Sequence, residues 1–441
     1  MLDQLRSYQY LGVAFLLDSP AALLADEMGM GKTVQVLSAL DRMRRASGGL
    51  KALVISPASV KSNWFREARR WAMGATVRVV QGNGSDRRVW YDLPVHILVA
   101  SYDQVRLDFL LQPPTTQFDV VILDEAQRVK DPSSDTTLAV ARIRRRFTWA
   151  LTATPLENRA NDLETIIRLL RPGSLPEKPT LPEIHEVLQG LFLRRKKIDV
   201  LPELPPIIDE DLRIDLLPQQ RAVYEDVWRG RGTYADSVTH VLALITKLKQ
   251  ICNFDPESNT SGKLDALLDI VNAVRDESGK LLVFSQFVKT LQWLEPRLPI
   301  PTGIIHGEMP LDARQAVLDR FDNSEQPMCC LVSLRAGGVG LNIPTASHVV
   351  LYDRWWNPAL EDQAVHRAHR FGRQDPLMVF RFLASDTVEE RINEVLDAKR
   401  ALFEHYVDDA PSRAASLSLD ELRSILDLDA IDIGEHSLEV K

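Results

Sequence analysis

The stretch Asp26-Glu-Met-Gly-Met-Gly-Lys-Thr33, placed directly after the apolar run Ala21 to Ala25, constrains this chain more than any other feature. That order predicts a strand, a phosphate-binding loop and a helix. Glycines let backbone N–H groups approach phosphates, a lysine neutralises the terminal ones, and a hydroxyl ligates magnesium. Lys32 and Thr33 thereby nominate a nucleoside triphosphatase. The general pattern has Gly where this chain has Asp26, and a glycine turn capping a helix is the alternative for the loop taken alone.

A second motif narrows the choice. Phe118-Asp-Val-Val-Ile-Leu-Asp-Glu-Ala-Gln127 reads as a buried strand ending in two carboxylates, and ligands of open α/β sheets sit at the carboxyl ends of strands. Asp124 is expected to hold magnesium and Glu125 to orient the attacking water. Phosphoryl transfer asks little of a protein beyond metal, in-line positioning and charge stabilisation. A lone Asp-Glu after a strand also fits a solvated helix start; downstream of a phosphate loop that reading recedes.

The 441 residues are enough for two domains or more, and 45% apolar residues fill ordinary cores. No membrane-length apolar run and no secretory signal stand in the sequence, which leads us to expect an intracellular protein. The three cysteines, Cys252 and the adjacent Cys329 and Cys330, lack the spacing of a metal knuckle or a disulfide framework. A net charge of −8 argues against a generally basic nucleic-acid coat but leaves room for local basic tracks. Basic clusters occur at Arg66/Arg69/Arg70, Arg142 to Arg146, Arg194 to Lys197 and Arg367/Arg370/Arg373, each of which also fits a solvated face.

Short apolar runs alternate with helical patterns in two regions, the periodicity of parallel α/β structure. The first contains Ala52–Ile55, Val95–Val99, Val120–Leu123 and Thr148–Leu151; the second contains Lys280–Phe284, Cys329–Val332, His348–Leu351 and Leu377–Phe380. We therefore expect a first lobe over 1–170, a helical insertion and linker over 171–260, a second lobe over 261–385, and a helix with an acidic tail over 386–441. The second lobe has no phosphate loop. It has the glycine-rich Ser333 to Asn342 and the segment Gln363 to Arg373, whose Arg367 and Arg370 lie three apart and are expected on one helical face. Such a pair is suited to act as arginine fingers across a cleft.

In this order the motifs resemble those of the Swi/Snf-type ATPases of helicase superfamily 2, over about Leu5 to Lys399. Leu5-Arg-Ser-Tyr-Gln9 resembles the adenine-sensing glutamine motif, and a phosphate loop opening with Asp is common in that family. Leu151-Thr-Ala-Thr-Pro-Leu-Glu-Asn158 resembles the segment coupling hydrolysis to lobe movement. Two matches separate the family from other superfamily members: Leu193-Arg-Arg-Lys-Lys197 leading into Leu201-Pro-Glu-Leu-Pro205, and Tyr352-Asp-Arg-Trp-Trp-Asn-Pro358. Gln127 stands where the family usually has His; its amide is expected to hydrogen-bond across the cleft.

The resemblance implies two tandem RecA-like lobes with a helical insertion and a C-terminal brace helix, ATP and Mg2+ in the cleft, and double-stranded DNA across both lobes. The implied catalytic residues are Lys32, Asp124, Glu125, Arg367 and Arg370. Nucleotide contacts fall to Arg6, Gln9, Asp26, Met28, Gly29, Met30, Gly31, Lys32, Thr33, Gln127, Gly338, Arg367 and Arg370, and the metal to Thr33, Asp124 and Glu125. DNA contacts are expected from Ser59, Lys61, Asn63, Ser101, Tyr102, Thr152, Arg194, Arg195, Ser285, Gln286, Ser333, Arg335 and Trp355; Trp64 is expected to pack. The implied function is an ATP-dependent translocase that tracks duplex DNA without strand separation and displaces DNA-bound proteins, with a targeting protein as a further partner. A strand-separating helicase and a non-catalytic DNA-binding scaffold are the alternatives. An excess of arginine over lysine points to a bacterial or phage source, hence a cytoplasmic, nucleoid-associated protein; a eukaryotic source would make it nuclear.

Overall fold

The computed structural model describes residues 5–111, 113–152, 160–234, 238–334, 343, 345–355, 358–370, 373–395 and 424–426. Two wholly parallel sheets organise them. The first has seven strands, β1 (Ala21–Leu24), β2 (Ala52–Ser56), β3 (Val77–Val79), β4 (Ile97–Ser101), β5 (Gln117–Asp124), β6 (Arg144–Leu151) and β7 (Phe192–Leu193), in the order β3-β4-β2-β5-β6-β1-β7. The second has six, β8 (Ile207–Ile214), β9 (Lys280–Ser285), β10 (Thr302–Ile305), β11 (Met328–Ser333), β12 (His348–Leu351) and β13 (Leu377–Ala384), in the order β10-β11-β9-β12-β13-β8. The short apolar runs form central strands because helices cover both faces, so alternation is replaced by continuous burial. β1, β2, β4, β11 and β12 are buried along their whole length.

Each sheet has an apolar core on either face. Leu53, Leu98, Val121 and Phe109 lie on one side of the first sheet, and Val54, Val99, Ile122 and Trp149 on the other. In the second lobe Phe284, Cys330 and Val349 face one way while Val283, Leu331 and Val350 face the other. A further core, built from Tyr224, Leu244, Leu248 and Cys252, takes in Val388, Ile392, Ile425 and Leu426. The helix expected as a brace between lobes, whose described part ends at 395, thus packs on the helical insertion. No helix among the described residues is long and apolar enough to cross a membrane.

The segment 171–260, expected as a helical insertion and linker, carries the helices Leu181–Gln189, Pro218–Arg229 and Val238–Asn253 and also contributes a strand to each sheet. β7 pairs with β1, and β8 pairs along its full length with β13. Both escape a periodicity reading for physical reasons. β7 has only two residues, and β8 is an edge strand whose Asp209, Glu210 and Asp211 are exposed, so neither shows the apolar run of a central strand. The lobes are therefore joined by a chain that leaves one sheet at Leu193 and enters the other at Ile207.

Candidate functional site

The chain enters β1 from the helix α1 (Ser7–Asp18), and the phosphate loop runs from the end of β1 to the helix α2 (Lys32–Ser47). Gly29 and Gly31 have φ of 85° and 77°, the left-handed region that costs glycine nothing. At Gly31 a Cβ would also lie 2.7 Å from Gln9 Nε2 and would displace that amide from the Met30 carbonyl. α2 ends at Gly48 (φ 70°) with Arg44 and Arg45 in its last turn, so its C-terminus is capped and charge-matched while its N-terminus stays open to an anion.

Asp26, which departs from the glycine of the general pattern, anchors the loop. It is fully buried, and Arg195 meets it with two hydrogen bonds, Nε to Oδ1 at 2.9 Å and Nη2 to Oδ2 at 2.5 Å. Gln35 joins both: its Nε2 donates to Asp26 Oδ2 (3.1 Å), and its Oε1 accepts from Arg195 Nη2 (2.9 Å). The carbonyl of Met30 accepts from Tyr8 Oη (3.1 Å), Gln9 Nε2 (3.2 Å) and Gln35 Nε2 (3.3 Å). Main-chain bonds from Leu23, Ala25 and Glu27 N–H to the carbonyls of Leu191, Leu193 and Arg195 continue the β7 pairing along the loop. The loop is thus a rigid cradle held from behind by the segment entering the linker.

The basic run Arg194 to Lys197, which follows β7 and ends at the first residue of a short helix, alternates in exposure. Arg194 and Lys196 are exposed, whereas Arg195 and Lys197 point inward. Arg195 is therefore corrected from an expected DNA contact to a loop anchor. Lys197 enters the cleft between the lobes, where its Nζ donates to His369 O (2.9 Å), meets His366 Nδ1 (3.1 Å) and lies 4.0 Å from Glu27 Oε1. Its backbone N–H donates to Glu27 Oε2 at 2.7 Å. Burial pushes the Lys197 ammonium down to about 8 and, with help from Lys197 itself, the His366 imidazole down to about 3. A neutral His366 makes its 3.7 Å approach to Glu27 a polar contact rather than an ion pair.

Asp124 and Glu125 stand at the carboxyl end of β5, as expected. Asp124 is pushed up to about 7 by burial and by the neighbouring Glu125, against a hydrogen bond from Trp64 and the charge of Lys32. Lys32 is itself held below its ordinary value by burial, which Glu125, Asp26 and Asp124 oppose. Its Nζ donates to Asp26 O at 2.6 Å and Glu27 O at 3.4 Å. Glu125 occupies left-handed backbone, φ 53° and ψ 58°, a conformation that strains a non-glycine residue by roughly 1–3 kcal/mol. Such strain is characteristic of sites that must aim a side chain. Two close carboxylates whose charges repel, with Thr33 at the start of α2, make a donor set that fits a hard divalent cation.

Gln127 is corrected from a contact across the cleft to one within the first lobe. Its Nε2 donates to Glu125 Oε2 (2.8 Å), and its Oε1 accepts from Thr152 Oγ1 (3.1 Å). Thr152, expected at the DNA, is buried in this relay at the end of β6.

The second lobe supplies the arginines. Arg367 lies in the last turn of the helix Pro358–Ala368; Arg370 lies past its end, so the two do not share a regular helical face. Burial lowers Arg367, while the charges of Glu125 and Asp124 raise it, which brings its guanidinium within reach of their field. Burial and Arg367 push Arg370 down to about 10, and its Cγ would stand 3.5 Å from a Cβ on Gly29. The helix is fixed by buried Glu361, which pairs with Arg354 (3.2 Å) and Arg381 (3.0 Å).

Several expected DNA contacts are turned inward. Ser101 caps the helix Tyr102–Phe109, and the Tyr102 hydroxyl donates to the Asp124 carbonyl at 2.8 Å. Ser285 is buried and donates to Asp353, and Ser333 is buried at the end of β11. Lys61 Nζ is engaged by Gln104 (3.1 Å) and Val80 O (3.4 Å). Ser59, Asn63, Gln286 and Trp355 keep partial exposure and Arg194 is exposed. Arg335 and Gly338 lie outside the described residues, as do Trp356, 153–159 and most of the acidic tail. Arg6 is half-exposed and pairs with Glu203, and Met28 is buried in the loop.

Residues 8–257 match the family described as SNF2-related domain, and residues 262–372 match the helicase conserved C-terminal domain. An uncharacterized ATP-dependent helicase of Mycoplasma pneumoniae is 33% identical, over 96% of this chain and 44% of its own length. The putative ATP-dependent helicase/translocase YwqA of Bacillus subtilis is 29% identical, over 97% of this chain and 51% of its own. The ISWI chromatin-remodeling complex ATPase ISW1 of Saccharomyces cerevisiae is 29% identical, over 89% and 39% respectively. The chain thus spans about half or less of the length of these relatives. A solved Sulfolobus solfataricus SWI2/SNF2 ATPase core in complex with dsDNA is 28% identical, with a TM-score of 0.45, covering 96% of this chain and 97% of that one.

Proposed function

The chain belongs to the SNF2-related family, and from that premise we propose that it is a DNA-dependent ATPase that translocates on duplex DNA and displaces proteins bound there. One observation carries the reading: a lysine, two carboxylates and two arginines from opposite lobes converge on one cleft, so the charge set is completed only when the lobes are together. Thr33, Asp124 and Glu125 would hold magnesium, which supplies charge stabilisation at the phosphates when bound. Lys32 would leave the loop carbonyls for the terminal phosphates, and Glu125, held by Gln127, would orient the attacking water. Arg367 and Arg370 would complete the charge set from the second lobe and tie turnover to cleft closure.

The supporting features on the DNA side are the half-exposed Ser59 and Asn63, in the segment after β2 that leads to Trp64, and exposed Arg194. Backbone contacts of this kind carry little sequence preference and weaken steeply with salt. The test is steady-state ATPase activity with no nucleic acid, single-stranded DNA, duplex DNA and RNA, followed by displacement of a duplex-bound protein. Stimulation by duplex with displacement is expected. ATP-dependent unwinding of a fork would replace this reading with a strand-separating helicase, and silence on every nucleic acid would leave a scaffold.

A further inference from the structure

Trp64 sits in the first turn of α3 (Lys61–Trp71), which follows β2 through a short turn over Ala58–Val60. It is 1% exposed, packed in the core with Val36, Val54, Ile122 and Leu40. Its indole Nε1 nevertheless donates to Asp124 Oδ2 at 2.7 Å, sixty residues away in sequence. Packing alone does not call for this bond, since phenylalanine would fill an apolar site without a polar atom. An indole N–H is a donor only, so it fixes one carboxylate oxygen and leaves the lone pairs of the other to a cation. The side chain is bulky and enclosed, so a shift of α3 carries the donor with it.

Before Trp64 the chain turns Val60 and Lys61 inward, against the core and against Gln104, and leaves its small polar residues toward solvent. Ser62 is exposed, and Ser59 and Asn63 are half-exposed. A second aromatic residue repeats the arrangement one strand over: Tyr102, at the head of the helix after β4, holds the main-chain carbonyl of the same Asp124 at 2.8 Å. Two segments at the sheet's carboxyl edge therefore converge on one metal-site residue. One holds its backbone and the other its carboxylate.

We propose that Trp64 is a positioning residue that orients Asp124 and couples the placement of α3 to magnesium–nucleotide binding, with duplex DNA on the Ser59–Asn63 edge as the input. The identity of that input rests on the function proposed above. Coupling of this kind is reciprocal: whatever factor duplex applies to nucleotide affinity, nucleotide applies to duplex affinity.

The test uses Trp64→Phe in the full chain. A fluorescent ADP analogue is titrated in magnesium, with and without saturating duplex, and duplex affinity is measured separately without nucleotide. The unsubstituted chain is expected to show a coupling factor of about 5 or more. Trp64→Phe brings that factor close to one and weakens Mn2+ binding in an electron paramagnetic resonance titration, while duplex affinity without nucleotide is retained. Should Trp64→Phe fail to fold, 3-benzothienylalanine at position 64 keeps the bicyclic shape and lacks the N–H. A substituted chain that keeps the full coupling factor overturns the inference alone. An unsubstituted chain in which duplex leaves nucleotide affinity and turnover unmoved overturns the proposed function and the inference with it.

Discussion

The facing edges of the two lobes carry charge in opposite ways. In the first lobe Lys32, Asp124 and Glu125 crowd together, and burial holds the Lys32 ammonium down and pushes the Asp124 carboxyl up. In the second lobe two buried carboxylates are closed into ion pairs: Lys263 meets Glu389 at 2.8 Å with both fully buried, and Glu361 joins Arg354 and Arg381. Asn253 and Lys263 tie this set to Asp353 and to the Tyr352 carbonyl, behind Ser285 and Gln286. The first edge is left incomplete for a ligand; the second is a rigid platform from which two arginines project. Closed pairs hold geometry, whereas open sets do chemistry.

The sharpest way to break this contrast is to remove the charges that meet in the cleft. Lys32→Ala is expected to cut ATP turnover by about 10³-fold or more while sparing duplex binding at low salt. Arg370→Ala is expected to lower kcat by about the same factor with little change in nucleotide affinity, measured by steady-state kinetics beside equilibrium binding. Normal turnover in either variant removes that residue from the site.

Next in size are the two anchors. Arg195→Ala leaves the buried Asp26 unpaired, and Lys263→Met does the same to Glu389; each is expected to cost about 3–5 kcal/mol in urea unfolding. They differ in what else they damage. Arg195→Ala weakens nucleotide binding because the loop loses its anchor, whereas Lys263→Met leaves it intact. Equal losses of affinity would erase the distinction between the lobes.

Lys197, where the two kinds of edge meet, gives a pH test. Its folded-state value of about 8 lies below the ordinary lysine value of 10.5. Below pH 8 both folded and unfolded chains carry the charge, and the fold bears the cost of burying it. Between pH 8 and 10.5 only the unfolded chain keeps its proton, so this group's contribution to stability rises with pH, on the order of 2–3 kcal/mol. Lys197→Met should flatten that rise in thermal unfolding measured across the window; an unaltered slope assigns the effect to another group.

The smallest effect concerns the relay. Gln127→Leu unties Glu125 from Thr152 and is expected to lower kcat about tenfold, the usual scale for a residue that orients another. Binding of nucleotide should hold, so a fall in affinity without a fall in kcat would contradict a role in aiming Glu125.

Residue order along the sequence is enough to specify the sheet cores, the phosphate loop and the carboxylates at the end of β5. Each is a local matter: an apolar run long enough to be buried on both faces, or glycines and charges a few residues apart. It left unread whatever depends on partners distant in the chain. Asp26 looked like a departure from a glycine pattern until Arg195 met it from 169 residues away. Trp64 looked like packing until its indole met Asp124, and Arg195 looked like a DNA contact because a basic run does not say which of its members turn inward. β7 and β8 were hidden since an edge strand is recognised by the neighbour it pairs with. Side-chain type and spacing are written along the chain, but burial, pairing and the field at a charged group are sums over neighbours that only the folded arrangement brings together.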